Sequence, residues 1–236
     1  MPDEASTSAR VKAFPFVSVN VARREVWIEG EVAVDAHDPE TPAIYLETVV
    51  CAVDTKDYES LVVTRARPSH VHAALLLCGL EPGAPGRMSR DAAGAMAHVA
   101  PRGPEVEVEI RWSGGTAQAR QWILGASARV PRPVIPNGLE AAPARPERGF
   151  VFAGSAFRRV SAARDERGGA PDAAFIERYR ADDEGTIVGL STFGTEVVAY
   201  ADVLWHESRV DAPVWIADPA RLPVRGTPVT VILRAK

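Results

Sequence analysis

The chain has 236 residues, of which 46% are hydrophobic, 25% charged and 7% aromatic. This composition is typical of a soluble globular protein and excludes a disordered chain or a coiled coil. The net charge of −4, from 31 acidic and 27 basic residues, has the wrong sign for a protein that binds nucleic acid through clustered lysine and arginine. We therefore expect no nucleic acid partner.

The sequence shows neither a membrane span nor a targeting segment. No stretch approaches the roughly 20 apolar residues needed to cross a bilayer. The opening MPDEASTSAR is polar and acidic, whereas a signal peptide is basic and then apolar. We predict no transmembrane segment and a disordered tail at residues 1–10.

The first structured segment is predicted to be a hairpin of strands 16–21 and 25–34, which are rich in β-branched and aromatic residues. Two more strands are expected at 44–53 and 60–65. If the four polar residues between Val53 and Tyr58 close a second hairpin, the pairing places Cys51 opposite Ser60 and Glu47 opposite Thr64.

One helix is predicted at residues 68–78. Pro68 suits the first turn of a helix, and Gly79 suits its end. Four apolar residues share one face of this segment at helical spacing: Val71, Ala74, Leu75 and Cys78. The helix should therefore cover one face of a sheet.

The middle of the chain is predicted to contain a pair of strands and, after them, a candidate domain boundary. Residues 87–104 have weak periodicity and are expected to be mostly irregular. Strict alternation predicts a half-buried strand at 106–112, followed by a paired strand at 116–124. Five prolines within 131–148 indicate either a linker or a strap over the surface.

The C-terminal segment is again predicted to consist of short strands and turns. The expected strands are 150–153, 175–181, 186–190, 196–201 and 229–234, with a turn at 182–185.

Together these elements predict an α+β fold that is mostly antiparallel sheet. Residues 11–130 form a β-rich segment that contains the helix, 131–148 the proline-rich boundary, and 149–236 a β-rich segment of the same domain. The strands do not alternate with helices, which argues against a nucleotide-binding doubly wound sheet.

Five residues are candidates for a functional site: Glu47, Cys51, Glu59, Ser60 and His72. Glu47 interrupts an apolar strand, so its carboxylate is either solvated at a sheet edge or functional. A register slip of one residue would bring Glu59 to the same face. Ser60 lacks the flanking glycines of a hydrolase elbow and is expected to be structural.

A metal site is not expected. His70 and His72 lie two positions apart, which on a helix separates their directions by roughly 200°. A site built from His72, Cys51 and Glu47 or Glu59 would need tertiary contact. Cys51 and Cys78 are too few for an iron–sulfur cluster or a disulfide framework. We predict no metal, no cofactor and two unbridged thiols.

Several runs resemble the YdjY-domain family of bacterial proteins. They are Leu46-Glu47, Cys51, Thr55 to Val63, Pro68, Val71 to Leu76, Gly79 to Gly83, Phe152 to Ser155, Tyr179 to Gly185, Thr192 to Gly194 and Gly226 to Val229. The similarity covers residues 14–236 and is most specific at 46–83. This resemblance implies a protein of planctomycetes or related bacteria. In members of this family an export or lipoprotein signal often precedes the domain, and the family has no established catalytic activity.

One position departs from that family, which tends to have His-Glu-Ser where this chain has Tyr58-Glu59-Ser60. A phenol with a pKa near 10 cannot replace an imidazole as a base near neutral pH. The departure argues against enzyme activity in this chain.

The function expected from these observations is a non-enzymatic binding or structural module of the bacterial cell envelope, with a protein or polymer partner. The alternative is an enzyme or metal-binding protein with its site near Glu47, Cys51, Glu59 and His72. Convergence of these side chains within about 4 Å around a cleft would favour the alternative, and scatter would favour the binding module.

Overall fold

The computed structural model describes residues 9–38, 43–90, 96–126, 144–161, 175–204 and 214–236. The strands are β1 Val11–Phe14, β2 Val17–Asn20, β3 Glu25–Val32, β4 Thr48–Ala52, β5 Ser60–Thr64, β6 Arg87–Arg90, β7 Met96–Val99, β8 Glu105–Trp112, β9 Gly115–Gln118, β10 Ile123–Gly125, β11 Phe150–Phe152, β12 Phe157–Ser161, β13 Phe175–Tyr179, β14 Thr186–Gly189, β15 Val198–Tyr200, β16 Trp215–Ala217 and β17 Pro228–Ala235. The α-helices are α1 Pro68–Leu77 and α2 Arg180–Glu184, and single 3₁₀ turns lie at Asp57–Glu59 and Ala119–Trp122.

Eight of these strands close into a barrel. Around the barrel they follow the order β3, β17, β8, β11, β15, β14, β4 and β5, and β5 pairs with β3 to complete the circle. The β14–β15 and β4–β5 pairs are parallel, and the other six are antiparallel. Strands β2 and β1 extend the sheet from β3, and β9 extends it from β8.

Alternation along the strands supplies much of the apolar core. In β8, Val106, Val108 and Ile110 are buried while the residues between them are partly exposed, as the sequence predicts. Ile28 of β3 and Val231 of β17 belong to the same buried cluster. A strand-rich α+β fold is thus confirmed, and the closure of its sheet into a barrel is a feature that the sequence did not reveal.

Helix α1 is confirmed as predicted, with Cys78 as its C-terminal cap. Its residues Val71, Ala74 and Leu75 are fully buried, and the helix packs against β2, β3, β14 and α2. Cys78 and Cys51 are both buried and free. Neither helix of the described chain is long and apolar enough to cross a membrane.

The predicted hairpin of β4 and β5 is wrong, because these strands are parallel. Thr48 lies beside Ser60 and Cys51 beside Val63, so Cys51 is not opposite Ser60 and Glu47 is not opposite Thr64. The short polar connection favours a hairpin locally. However, β4 also pairs antiparallel with β14 and β5 with β3, and these long-range pairings set the direction of both strands.

Three further predictions are corrected. Residues 87–104, expected to be irregular, contain the antiparallel pair β6 and β7. The strand expected at 116–124 pairs with β8 only as far as Gln118, and β10 then pairs with β16. Residues 182–184 of the turn expected at 182–185 belong to the second helix, α2, and Gly185 caps its C-terminus.

The barrel takes strands from both sides of the proline-rich segment. Strands β3, β4, β5 and β8 precede it, and β11, β14, β15 and β17 follow it. Residues 131–143 of that segment and residues 1–8 of the predicted tail lie outside the described residues. We propose that segments 11–130 and 149–236 fold as one unit.

The burial of Leu75 generates a stability prediction. Leu75 is 1% exposed, whereas Leu77 on the same helix is 54% exposed. Because truncating a buried leucine leaves a cavity, Leu75→Ala should lower the free energy of unfolding by about 2–5 kcal/mol. Leu77→Ala, the matched control, should change it little. Equal urea midpoints for the two variants would contradict the placement of this helix.

A second prediction concerns Gly30, where β3 passes from pairing with β2 to pairing with β5. A Cβ atom at Gly30 would lie 2.6 Å from the backbone oxygen of Val63 and 2.9 Å from Cγ1 of Val62. Gly30→Ala should therefore destabilise the fold by about 1–3 kcal/mol in denaturant unfolding. Gly149→Ala is the control, since a Cβ there meets nothing within 4 Å. A Gly30 variant as stable as the Gly149 variant would show that the barrel does not close tightly at this point.

Candidate functional site

The two predicted carboxylates, Glu47 and Glu59, meet at one end of the barrel. Each immediately precedes a strand, β4 or β5, and because these strands run parallel, both residues lie at the same end. The backbone N–H of Glu47 donates to the backbone oxygen of Glu59 at 2.9 Å, and the two carboxyl groups hydrogen-bond to each other. Their proximity therefore follows from the parallel pairing that the sequence did not predict.

Lys56 joins this pair from the connection between β4 and β5. Its Nζ lies 3.4 Å from Oε2 of Glu47 and 4.1 Å from the centre of the Phe193 ring. The side chains of Lys56 and Glu47 are 23% and 24% exposed. The carboxyl group of Glu47 thus has a lysine and a second carboxyl group as its partners.

The carboxyl pair holds a proton near neutral pH. Burial, the negative charge of Glu47 and the hydrogen bond with Glu47 raise the pKa of Glu59 to about 7, against the opposing charge of Lys56. Two adjacent carboxyl groups resist ionising together, so the proton belongs to the pair. Chemically, the pair can store or deliver one proton.

Cys51 and Ser60 lie next to one another. Both are fully buried, and the Cys51 thiol hydrogen-bonds with Ser60 and Thr55. The Ser60 hydroxyl also donates to the backbone oxygen of Val62 at 3.0 Å. Burial raises the pKa of the Cys51 thiol, so it stays protonated and is a poor nucleophile.

His72 has a different set of neighbours. Its Nδ1 lies 2.7 Å from the hydroxyl oxygen of Tyr179, and that hydroxyl donates to the backbone oxygen of Gly154 at 3.1 Å. Its ring also makes an edge contact with Phe152, with 5.0 Å between ring centres. Burial lowers the pKa of His72, which favours a neutral ring packed between aromatic side chains.

The predicted site is therefore only partly assembled. Glu47 and Glu59 form one contact and Cys51 and Ser60 another, while His72 bonds with other residues. Within the described ranges, no group of three or more His, Cys, Asp or Glu side chains is arranged to hold a metal ion.

Glu196 is a buried carboxylate that the sequence analysis missed. It is fully buried, and its two carboxylate oxygens accept the backbone N–H groups of Phe193, Gly194 and Thr195. Burial raises the pKa of Glu196 to about 7, although the hydrogen bonds from these backbone donors lower it. The run Thr192 to Glu196, with glycine between two threonines, carries a turn signal, but Glu196 was interpreted only as the start of a strand.

The described residues also form an open cleft of about 670 Å³ on the barrel. It lies where β3, β5, β8 and β17 approach one another, and neither the carboxyl pair nor Cys51, Ser60 or His72 lines it. Its lining residues are Phe16, Glu29 to Glu31, Val53, Val63 to Arg65, Arg111 to Ser113 and Pro228 to Thr230.

Comparison with known proteins identifies the family. The family model described as the YdjY domain matches residues 17–234, and the chain therefore belongs to the YdjY-domain family. No curated protein and no solved structure matches it.

The raised pKa of Glu59 predicts a pH dependence of stability. The folded chain binds this proton more tightly than the unfolded chain, whose ordinary value is 4.5. The stabilising contribution is therefore complete below pH 4.5 and is lost as the pH rises through about 7. Glu59→Gln keeps a neutral hydrogen-bonding group, so its stability relative to the wild type should rise across this interval.

The measurement is urea unfolding of both proteins at a series of pH values. Glu81→Gln, at an exposed position, is the control and should follow the wild type throughout. If the separation between the Glu59→Gln and wild-type curves is the same at every pH, the carboxyl pair does not retain its proton.

Proposed function

We propose that this member of the YdjY-domain family is a non-enzymatic binding module of the bacterial cell envelope, and that a protein or polymer partner binds in the open cleft beside β3. The observation that carries the proposal is the cleft itself, which at about 670 Å³ has the size of a typical binding pocket. Support for the envelope placement comes from the family alone, since its members often follow an export or lipoprotein signal.

The cleft offers both apolar surface and charge. Phe16 and Trp112 supply aromatic surface, and Arg65 and Glu31 are exposed charged residues on its wall. In the described part of the chain, neither Arg65 nor Glu31 has an ion-pair partner. Their charges are therefore available to a ligand, and such a mixed lining suits a segment of a polymer that carries polar and apolar groups.

Other charges of the cleft are already used within the protein. Arg111 contacts Glu109 at 2.7 Å and stacks on the Trp27 ring at 4.9 Å. Glu29 lies 3.7 Å from Arg10. These contacts fix the walls of the cleft, which reduces the ordering cost of binding.

The chemistry of the candidate residues also supports binding over catalysis. The Cys51 thiol has a raised pKa and the His72 ring a lowered one, and neither residue lines the cleft. A nucleophilic cysteine needs the opposite shift, and a catalytic base needs a nearby substrate position.

The experiment is co-sedimentation of the purified protein with cell-envelope fractions from the bacterium that encodes it. Because Arg65 has no partner to lose within the described chain, Arg65→Glu should leave folding intact and weaken binding by about tenfold, equivalent to about 1.4 kcal/mol. Glu31→Lys reverses the negative charge on the wall of the cleft and should also weaken binding.

Arg225→Glu is the matched control, since Arg225 is exposed and does not line the cleft. The proposal predicts saturable binding of the wild type and the control, weakened by the cleft variants. Absence of saturable binding, or equal binding by all four proteins, would overturn it.

A further inference from the structure

A second cavity, of about 500 Å³, lies away from the cleft and shares none of its lining residues. Three arginines line it, Arg87, Arg102 and Arg180, and no acidic residue does so among those described. In a chain with a net charge of −4, such a cavity is a local concentration of positive charge. An anion would be favoured there.

Two of these arginines are not neutralised by the rest of the described chain. Arg180 lies 3.0 Å from Glu184, so part of its charge is offset. Arg87 and Arg102 are exposed, and no carboxylate among the described residues pairs with either. Both guanidinium groups are therefore free to bind an oxyanion through paired N–H donors.

The backbone around the cavity is held in place. The N–H and C=O groups of Ala84 and Arg102 bond to each other at 2.8 Å in both directions. Across the cavity, Gly194 has a φ of 77°, and its N–H group is bound by the buried Glu196 carboxylate at 3.2 Å. The backbone is thus held in place at Arg102 on one side of the cavity and at Gly194 on the other.

Apolar residues complete the lining and continue beyond it. Met88, Val99 and Phe193 line the cavity. A neighbouring cavity of about 480 Å³ shares Ala156 and Arg180 with the first. Phe157 lines that neighbour and is 64% exposed, although an aromatic side chain gains most from burial.

The acidic residues of the neighbouring cavity are paired with arginines, so they carry no free negative charge that would repel an anion. Asp183 lies 3.0 Å from Arg158 and 3.6 Å from Arg178, and Glu184 is paired with Arg180. The remaining positive charge therefore lies at Arg87 and Arg102, and the apolar surface lies toward Phe157.

We propose that this pair of cavities binds a small organic oxyanion. Its phosphate or carboxylate head lies between Arg87 and Arg102, and its apolar body extends past Ala156 toward Phe157. The site shares no lining residue with the cleft, so this proposal and the proposed function can be contradicted separately.

The test is calorimetric titration of the full chain with phenyl phosphate, benzoate and inorganic phosphate at constant ionic strength. Phenyl phosphate and benzoate distinguish the two head groups, and inorganic phosphate lacks the apolar body. We expect saturable binding of at least one of the aromatic anions, tighter than that of inorganic phosphate.

Arg87→Gln and Arg102→Gln should each weaken that binding about tenfold or more, because each substitution removes a charged hydrogen-bond donor to the oxyanion. Arg225→Gln is the matched control and should bind as the wild type does. If Arg102→Gln fails to fold, Arg87→Gln alone decides the test, since no ion pair or hydrogen bond of the Arg87 side chain is lost within the described chain. Absence of saturable binding by the wild type, or unchanged affinity in Arg87→Gln, would overturn the proposal.

Discussion

Closure of the barrel depends on how closely β5 approaches β3 at Gly30. One edge of β3 pairs with β2 through residues 25–28 and then with β5 at Glu31 and Val32. At the change of partner, the backbone oxygen of Val63 occupies the space that a Cβ atom at Gly30 would need. The open cleft lies at the same place, since Phe16 before β2 and Val63 of β5 both line it. The divergence of two strands from one edge thus coincides with the open cleft.

The parallel pairing of β4 and β5 determines which charged side chains meet. It places Glu47 and Glu59 at the same end of the barrel, where Lys56 and a shared proton reduce the repulsion between them. The connection that makes the parallel pairing possible also supplies Thr55, which hydrogen-bonds with Cys51. Lys56 and Thr55 of this short connection thus interact with two of the candidate residues, Glu47 and Cys51. An isolated charge in this position would have been costly.

The sequence predicted those parts of the fold that depend on local periodicity. The alternation of β8 and the apolar face of α1 both reflect the geometry of a single element. The direction of β5, the closure of the barrel and the partners of His72 depend on residues far away in the chain. His72 and Tyr179, for example, are 107 positions apart. The pair β6 and β7 was missed because its segment is rich in alanine and glycine, which have low strand propensity. Of the candidate site, the sequence predicted only that Glu47 and Glu59 could share one face of an antiparallel hairpin, whereas their contact depends on the parallel direction of β4 and β5.

The position of β17 has a consequence for how the chain folds during synthesis. This strand lies between β3 and β8, and its Arg234 contacts Glu25 across 209 positions at 2.9 Å. Until residues 228–235 leave the ribosome, the barrel cannot close, and the edges of β3 and β8 that receive β17 stay unpaired. Unpaired strand edges are sites of aggregation, and pairing over such a separation is slow. Closure of this barrel is therefore expected to be a late and slow step of folding.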